Sequence, residues 1–142
     1  MLNKASRFVL WGSAGHAKVL ASLIDEKGGE VIALFDNKDV PPALPNVPLY
    51  LGEPGFQHWA SSRSDLAELS GLVAIGGQRG RDRIIIQALF KSWGLQLPSL
   101  LHPSASVCKT ATLGAGTQIL AHAIVAADVR IGQACIVNHA AS

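Results

Sequence analysis

The sequence predicts an α/β domain of the doubly wound type, followed by the start of a parallel β-helix of about two coils. The first part is indicated by a strand, a glycine-rich loop, a helix and a second strand that ends in an acid. The second part is indicated by branched aliphatic residues at every sixth position near the end of the chain. We therefore divide the chain into an α/β domain (residues 1–98), a connector (residues 99–106) and a repeat region (residues 107–142).

The opening βαβ unit is predicted from short local patterns. The apolar run at residues 7–11 is typical of a buried parallel strand, and it leads into a glycine loop at residues 12–18. Apolar residues with helical spacing follow at residues 19–24, and Gly28 ends that helix. Residues 31–35 are predicted to form a second strand, which ends in an acid.

The rest of the α/β domain gives weaker signals. Residues 36–50 contain four prolines and are interpreted as a surface loop. Residues 72–75 are predicted to be a third buried strand, and apolar residues at helical spacing over 84–89 indicate a second strong helix. Residues 95–101 are predicted to be the last strand of the sheet.

The repeat region has a period of six, which matches neither an open strand nor an α-helix. Such a period is typical of a hexapeptide solenoid, in which each hexad forms one flat side of a coil and its aliphatic residue points inward. Since a solenoid needs roughly three repeats and a cap, we expect this chain to be part of a longer solenoid or to be completed by a partner. The aliphatic positions are Val107, Leu113, Ile119, Val125, Ile131 and Val137. The small or slim residues four places after each are Ala111, Thr117, Ala123, Val129, Cys135 and Ala141.

Composition excludes several classes of function. A formal net charge of +2 gives no argument for binding nucleic acid, and no apolar run approaches the roughly 20 residues of a membrane span. The N-terminal apolar segment is too short for a signal peptide. Cys108 and Cys135 lie at repeat positions without metal-binding spacing. We therefore expect a cytoplasmic protein with reduced thiols and no metal site.

The glycine loop is the first candidate binding element. Backbone N–H groups at the start of a helix bind anions such as phosphate, and glycine allows a ligand to approach closely. Asp36 follows Gly15 by 21 residues and could accept hydrogen bonds from a ribose. As a dinucleotide fingerprint the loop is poor, because Ala14 and Lys18 occupy positions that require glycine. Nicotinamide cofactor binding and a tight turn without a ligand both remain open.

The carboxyl ends of the strands bring the candidate binding residues to one edge of the sheet. An anion-binding loop, an acid and an arginine at this edge would suit a nucleotide diphosphate, although Arg81 could equally be a salt-bridged surface residue. The candidate binding residues are Gly12, Ser13, Gly15, His16, Asp36, Asn37 and Arg81.

Three motifs in this order resemble a known family. They are Gly-x-x-Gly-His-Ala-Lys at residues 12–18, Ile-Gly-x-x-x-x-Arg at residues 75–81, and His-Pro-Ser-Ala at residues 102–105, directly before the hexads. The chain resembles the sugar O-acyltransferases of the sialic acid O-acetyltransferase (NeuD) type. That family includes the PglD-like N-acetyltransferases that modify UDP-4-amino-sugars.

The resemblance implies a Rossmann-like domain that binds a nucleotide-linked sugar rather than NAD. The ligand would be a UDP-linked or other nucleotide-linked amino sugar, or a sialic acid-type sugar. It further implies a left-handed β-helix that assembles as a homotrimer and holds acetyl-CoA, the acyl donor, between subunits. A histidine on that helix would act as general base toward the sugar amine or hydroxyl. The residues that match the family's nucleotide-sugar site are Gly12, Gly15, His16, Asp36 and Arg81.

The sequence departs from the family pattern in the loops expected to contact the nucleotide and at the position of the catalytic histidine. Ala14 replaces a usual glycine and Gly77-Gln78 replaces a usual Asp-Asn, which leaves the nucleotide open. The family's catalytic histidine follows a segment that residues 138–142 match, so we expect it just beyond Ser142.

His122 and His139 lie 17 residues apart on one face of the predicted coil and are interpreted as exposed repeat residues. The first hypothesis is thus an acetyltransferase whose activity in this chain is low. The second is a non-catalytic module that binds a nucleotide sugar and assembles with a longer relative. An NAD-dependent oxidoreductase is disfavoured, because hexads have no role in hydride transfer.

Overall fold

A four-stranded parallel sheet forms the centre of the α/β domain in the computed structural model, which describes residues 6–142. Its strands are β1 (Arg7–Trp11), β2 (Glu30–Asp36), β3 (Leu49–Leu51) and β4 (Leu69–Val73), in the spatial order β3-β2-β1-β4. The helices are α1 (Gly15–Glu26), α2 (Gly52–Ser61) and α3 (Gly80–Ser92). The predicted doubly wound α/β arrangement is confirmed.

Alternating side chains of β1 fill two cores, one on each face of the sheet. Val9 and Trp11 pack with α2 and α3, whereas Phe8 and Leu10 pack with α1. The first core is mainly aromatic, and aromatic side chains at edge-to-face or offset distances add about 0.5–1.5 kcal/mol per pair beyond area burial. Its aromatic residues include Trp11, Phe35, Tyr50, Phe56, Trp59, Phe90 and Trp93. Because both faces of β1 are covered, the strand is uniformly apolar after Arg7.

Two predicted elements differ in the structure. β3 lies inside the predicted proline-rich loop and pairs in parallel with residues 34–36 of β2. It was missed because three residues directly after Pro48 carry almost no strand pattern. The predicted last strand at residues 95–101 is also wrong, because only Gln96 bridges to the sheet, at Ser70. Leu100–Leu101 forms β5, which pairs with a strand of the hexads instead.

The hexads form three short parallel ladders that join residues 18 positions apart. We call residues 100–141 the repeat segment. Its strands are β5 (Leu100–Leu101), β6 (Ser106–Val107), β7 (Thr112–Leu113), β8 (Gln118–Ile119), β9 (Ile124–Val125), β10 (Arg130–Ile131) and β11 (Ile136–Val137). The ladders are β5-β8-β11, β6-β9 and β7-β10, so that successive strands belong to different ladders and one circuit takes 18 residues. The first strand of the repeat segment lies within residues 99–106, which the sequence assigns to a connector.

The predicted aliphatic column points into a common interior, together with Ala111, Ala123 and Val129 of the small-residue column. The cluster centres on Ile119, Ala123 and Val125, and the other aliphatic positions from Leu101 to Val137 pack against it. The corners repeat as regularly as the interior, because every sixth residue from Gly116 has a left-handed backbone. These corner residues are Gly116, His122, Asp128, Ala134 and Ala140.

Candidate functional site

A cleft of about 460 Å³ opens at the carboxyl ends of β1, β2 and β4. β1 lies between β2 and β4, and the chain passes from one side of β1 to the other, so this is the position where parallel sheets bind ligands. The lining residues are Trp11, Gly12, Ser13, Ala14, His16, Asp36, Asn37, Lys38, Val40, Ala74, Ile75, Gly76 and Arg79. Five of the seven predicted site residues are among them, whereas Gly15 and Arg81 are not.

The N-terminus of α1 lies at this cleft without a cap. The capping position, Ala14, provides no side-chain hydrogen bond, and the first turn contains no acidic residue. The first N–H groups of a helix lack partners within the helix and carry a partial positive charge. Gly15 begins the helix, so its contribution to a ligand would be its backbone N–H. The N-terminus of α1 is therefore suited to an anionic group of a ligand.

Gly12 is required by packing rather than by a ligand. Its φ is +117°, and a Cβ at this position would overlap the carbonyl oxygen of Ala74. Its N–H donates to the Phe35 carbonyl at 2.6 Å. The close approach between the loop after β1 and the end of β4 thus explains this glycine.

Ser13 and Asp36 join the loops around the cleft. Asp36 Oδ2 accepts the Ser13 N–H at 2.9 Å, and Asp36 Oδ1 accepts the Lys38 N–H at 2.9 Å. Ser13 Oγ donates to the Pro41 carbonyl at 3.3 Å and accepts the Ala43 N–H at 2.7 Å. The hydrogen-bonding groups of Ser13 are therefore used within the protein, while Asp36 keeps lone pairs available at the cleft.

His16 connects the cleft to the repeat segment. Its Nε2 lies 2.7 Å from Oε1 of Gln118, and Nε2 of Gln118 donates to the Val73 carbonyl at 2.9 Å. Burial lowers the pKa of His16 below its usual value, and the hydrogen bond to Gln118 offsets part of this effect. The charges of Arg83 and His139 lower the pKa further. The ring is therefore neutral near pH 7.

The three arginines between residues 79 and 83 have different environments. Arg79 lines the cleft and pairs with Asp82 at 2.7 Å, both largely exposed. Arg81 is exposed in the first turn of α3 and lies outside the cleft lining. Arg83 is buried, and its guanidinium donates to the carbonyls of Ile75, Gly77 and Ala134 at 2.9 to 3.0 Å. Arg83 thereby fixes the loop after β4 and attaches it to the repeat segment.

Sequence reasoning missed Gln118 and Arg83, although a signal existed for one of them. Arg83 has the same helical spacing as the buried Ile86, Gln87 and Phe90, which would have placed it on the inner face of α3. Gln118 precedes an aliphatic repeat position, as five other residues do, and nothing in its local sequence distinguishes it.

The cleft offers mainly hydrogen-bond donors. Lys38 and Arg79 contribute positive side chains beside the end of α1, and Asp36 is the acidic residue in the lining. The buried indole N–H of Trp11, which also lines the cleft, has no partner among the described residues. This combination is suited to a ligand that carries both phosphate and hydroxyl groups.

The described residues also bear on metal binding and membrane insertion. Within residues 6–142, no three His, Cys, Asp or Glu side chains lie together as they would to hold a metal ion. The helices of this part of the chain are also too short or too polar to cross a bilayer.

Comparison with known proteins links this geometry to one family. Residues 7–88 match the family model of the PglD N-terminal domain. No curated protein matched by sequence.

Two solved structures resemble the chain along almost its whole length. PerB from Caulobacter crescentus, in complex with CoA and GDP-perosamine, has a TM-score of 0.77 and 29% identity over 94% of this chain. The acetyltransferase domain of PglB from Neisseria gonorrhoeae FA1090, in complex with acetyl coenzyme A, has a TM-score of 0.78 and 27% identity over 96% of this chain. The chain spans 60% of the length of the first and 63% of the second.

Proposed function

The chain belongs to the family of the PglD N-terminal domain, and we propose that its function is acetyl-CoA-dependent acyl transfer to an amine or hydroxyl of a nucleotide-linked sugar. The observation that carries this proposal is the cleft between the uncapped end of α1 and the loop after β4. Support comes from PerB, which was solved with CoA and GDP-perosamine, and from PglB, which was solved with acetyl coenzyme A.

The architecture that we propose follows the same family. The three ladders of the repeat segment form the start of a left-handed parallel β-helix. The full-length assembly is a homotrimer of the NeuD and PglD type in the cytoplasm, and it accepts an amino sugar or a sialic acid-type sugar. Support for the β-helix is the 18-residue spacing of every ladder together with the aliphatic interior.

In the proposed site, the cleft residues have distinct roles. The diphosphate lies at the N–H groups that begin with Gly15, close to Lys38 and Arg79. At the end of β2, Asp36 accepts hydrogen bonds from hydroxyl groups of the nucleoside, and Asn37 can accept or donate them. Arg81, assigned through the family resemblance, flanks the diphosphate at long range, since it lies outside the cleft lining.

Acyl transfer also requires a base that removes a proton from the attacking amine or hydroxyl. We propose that none of the described histidines has this role. His16 lies in the α/β domain and holds Gln118 through Nε2, whereas the family resemblance places the base on the β-helix. His122 is exposed at a corner of the repeat segment. His139 donates Nδ1–H to the Asn138 side chain at 3.1 Å, which leaves its Nε2 lone pair free but exposed. The second candidate function is a non-catalytic module that binds a nucleotide sugar, and the lack of a suitable base among these three histidines favours it.

Calorimetric titration with UDP, GDP, a UDP-linked amino sugar, GDP-perosamine, NAD and acetyl-CoA tests the proposal. We expect at least one sugar nucleotide to bind and NAD not to bind. Arg79→Gln should weaken binding of a diphosphate ligand by about 5- to 10-fold, because a charge-assisted hydrogen bond at the cleft is lost. Arg81→Gln, the matched control outside the cleft, should change it by less than about 2-fold.

Two results would contradict parts of this proposal. Tight NAD binding without any response to sugar nucleotides would refute the nucleotide-sugar site. An acetyl-transfer assay on the same protein tests the assignment of the base, and we expect little turnover. Turnover that His139→Asn abolishes would identify His139 as the base and refute our assignment.

A further inference from the structure

A buried glutamine, Gln118, connects the cleft to the repeat segment. Its side chain makes a hydrogen bond to the open edge of β4 that a neighbouring strand would otherwise make. On the open edge of β4, the Leu69 carbonyl and the Gly71 N–H pair with Gln96, after which the chain leaves the sheet. Val73 is in phase with these residues, and its carbonyl accepts the side-chain Nε2 of Gln118 at 2.9 Å. Gln118 is 1% exposed, so this amide has no access to water as an alternative partner.

This contact fixes the orientation of the Gln118 amide. A backbone carbonyl can only accept, so the amide nitrogen must face Val73 and the amide oxygen must face His16. Because the oxygen can only accept, the proton of this second hydrogen bond must be on His16 Nε2. A neutral ring with a proton on Nε2 has a lone pair on Nδ1.

The Nδ1 side of the ring is open toward the cleft. None of the described residues provides a partner for Nδ1, and Gly76, which also lines the cleft, lies beside the ring. A Cβ placed on Gly76 would lie 4.0 Å from Nδ1 and 3.8 Å from Cβ and Cγ of His16. The absence of a side chain at position 76 therefore leaves space beside Nδ1.

An acceptor at this position distinguishes among the parts of a ligand. Most of the cleft presents donors suited to phosphate, whereas the Nδ1 lone pair repels phosphate oxygens and attracts a hydroxyl or amino group. His16 borders the repeat segment, and Asp36 lies at the opposite side, at the end of β2. The sugar, rather than the nucleoside, would then reach His16.

We propose that Gln118 is a positioning residue that holds His16 with Nδ1 as a hydrogen-bond acceptor for a hydroxyl or amino group of the sugar moiety. This inference rests on the proposed function for the identity of the ligand. It adds a residue of the repeat segment to the determinants of specificity in the α/β domain. The lowered pKa of His16, caused mainly by burial, supports it by keeping the ring neutral.

The tautomer is measured directly by ¹⁵N NMR of the histidine rings in the ligand-free protein, with His16→Gln used to assign the signals. We expect His16 to carry its proton on Nε2 alone. In Gln118→Leu the signals should shift toward a mixture of tautomers. In Gln87→Leu they should remain unchanged, because Gln87 is an equally buried glutamine that donates to the repeat segment at Ala115 but does not touch His16. A His16 proton on Nδ1 in the wild-type protein would overturn the positioning role.

Ligand binding tests the second half of the proposal. Gly76→Ala places a methyl group at ordinary van der Waals distance from the ring, so we expect it to hinder the approach of a ligand to Nδ1 and to leave the bond to Gln118 intact. Gly76→Ala and Gln118→Leu should each weaken binding of the sugar nucleotide about 10-fold, as expected for one lost hydrogen bond. Binding of the nucleoside diphosphate alone should change by less than about 2-fold in both variants.

Equal losses for the sugar nucleotide and the diphosphate, or equal losses in Gln87→Leu, would overturn the specificity role. If the wild-type protein binds no sugar nucleotide, the proposed function and the sugar contact both fail. The NMR result would still decide on the tautomer by itself, so the two failures can be told apart.

Discussion

Gly116 is the position where the attachment of the repeat segment to α3 can be tested most sharply. It occupies a corner with φ of +71°, and a Cβ there would overlap Oε1 of Gln87 and approach its Cδ to 2.7 Å. Gln87 is 3% exposed and donates Nε2 to the Ala115 carbonyl at 2.9 Å. Gly116→Ala should therefore displace the Gln87 side chain and break this hydrogen bond.

The expected cost has two parts. A left-handed backbone costs a residue with a Cβ about 1 kcal/mol. Displacing Gln87 leaves a buried amide and a buried carbonyl unpaired, which costs about 1–2 kcal/mol more. We expect Gly116→Ala to lower the free energy of unfolding by about 2–3 kcal/mol. In a Gln87→Ala background the obstacle is absent, so the same substitution should cost only about 1 kcal/mol.

Urea unfolding followed by circular dichroism and tryptophan fluorescence measures these free energies. Gly77→Ala is the matched control, because its φ is +72° and a Cβ there would contact nothing within 4 Å. It should cost about 1 kcal/mol, which is the conformational part alone. Equal losses in Gly116→Ala and Gly77→Ala, or strict additivity with Gln87→Ala, would refute the proposed packing.

Three further predictions concern charged and titratable groups. Asp65→Asn should lower the free energy of unfolding by about 1 kcal/mol near pH 7, because the hydrogen bond from Arg63 helps to hold the folded pKa of Asp65 at about 2. That stabilisation is complete above the ordinary pKa of 3.8 and disappears as pH falls through about 2. Acidification from about pH 7.5 to about pH 5.5 should destabilise the wild-type protein more than His16→Gln, because only the unfolded His16 takes up a proton near its ordinary pKa. Arg83→Met should cost about 3 kcal/mol, because three backbone carbonyls, including that of Ala134, lose a charged donor.

Each of these predictions has a control in which the same type of side chain is replaced at an exposed position. Asp25→Asn changes an exposed carboxylate and should leave the free energy of unfolding near pH 7 unchanged. A loss of stability as large as that of Asp65→Asn would contradict the ion-pair argument. His58→Gln, an exposed position on α2, should retain the wild-type response to acid. Arg81→Met should cost less than about 0.5 kcal/mol, and a cost equal to that of Arg83→Met would show that burial of Arg83 is not what matters.

The local parts of the fold could be predicted because their patterns depend on neighbours in the sequence. The inward column from Val107 to Val137 and the apolar β1 both follow directly from burial at a fixed period. β3 could not be predicted, since its three residues form a strand only because the edge of β2 is available to them. Leu100–Leu101 also looked like a sheet strand, since its apolar pattern does not reveal which neighbour it pairs with.

The candidate site could be predicted in part for the same reason. The loop and the acid that follow β1 and β2 are predictable, because parallel strands must end at one edge. The internal roles of Ser13 and Asp36 were not predictable, since they depend on how the loops fold onto each other. The contact between His16 and Gln118 joins residues 102 positions apart, and no local pattern encodes such a pair.

The 18-residue circuit also limits how the length of this chain can change. Leu100, Gln118 and Ile136 share one ladder, and each contacts the α/β domain. An insertion or deletion of a single hexad would keep the aliphatic interior. However, every strand after it would move to the next of the three ladders and face a different direction. A deletion before Gln118 would bring Ile124 to His16 in its place, whereas an insertion before Thr112 would bring Thr112 there. Natural length variation within the repeat should therefore occur in steps of about 18 residues wherever the domain contact is retained, while single hexads should be gained or lost only beyond it.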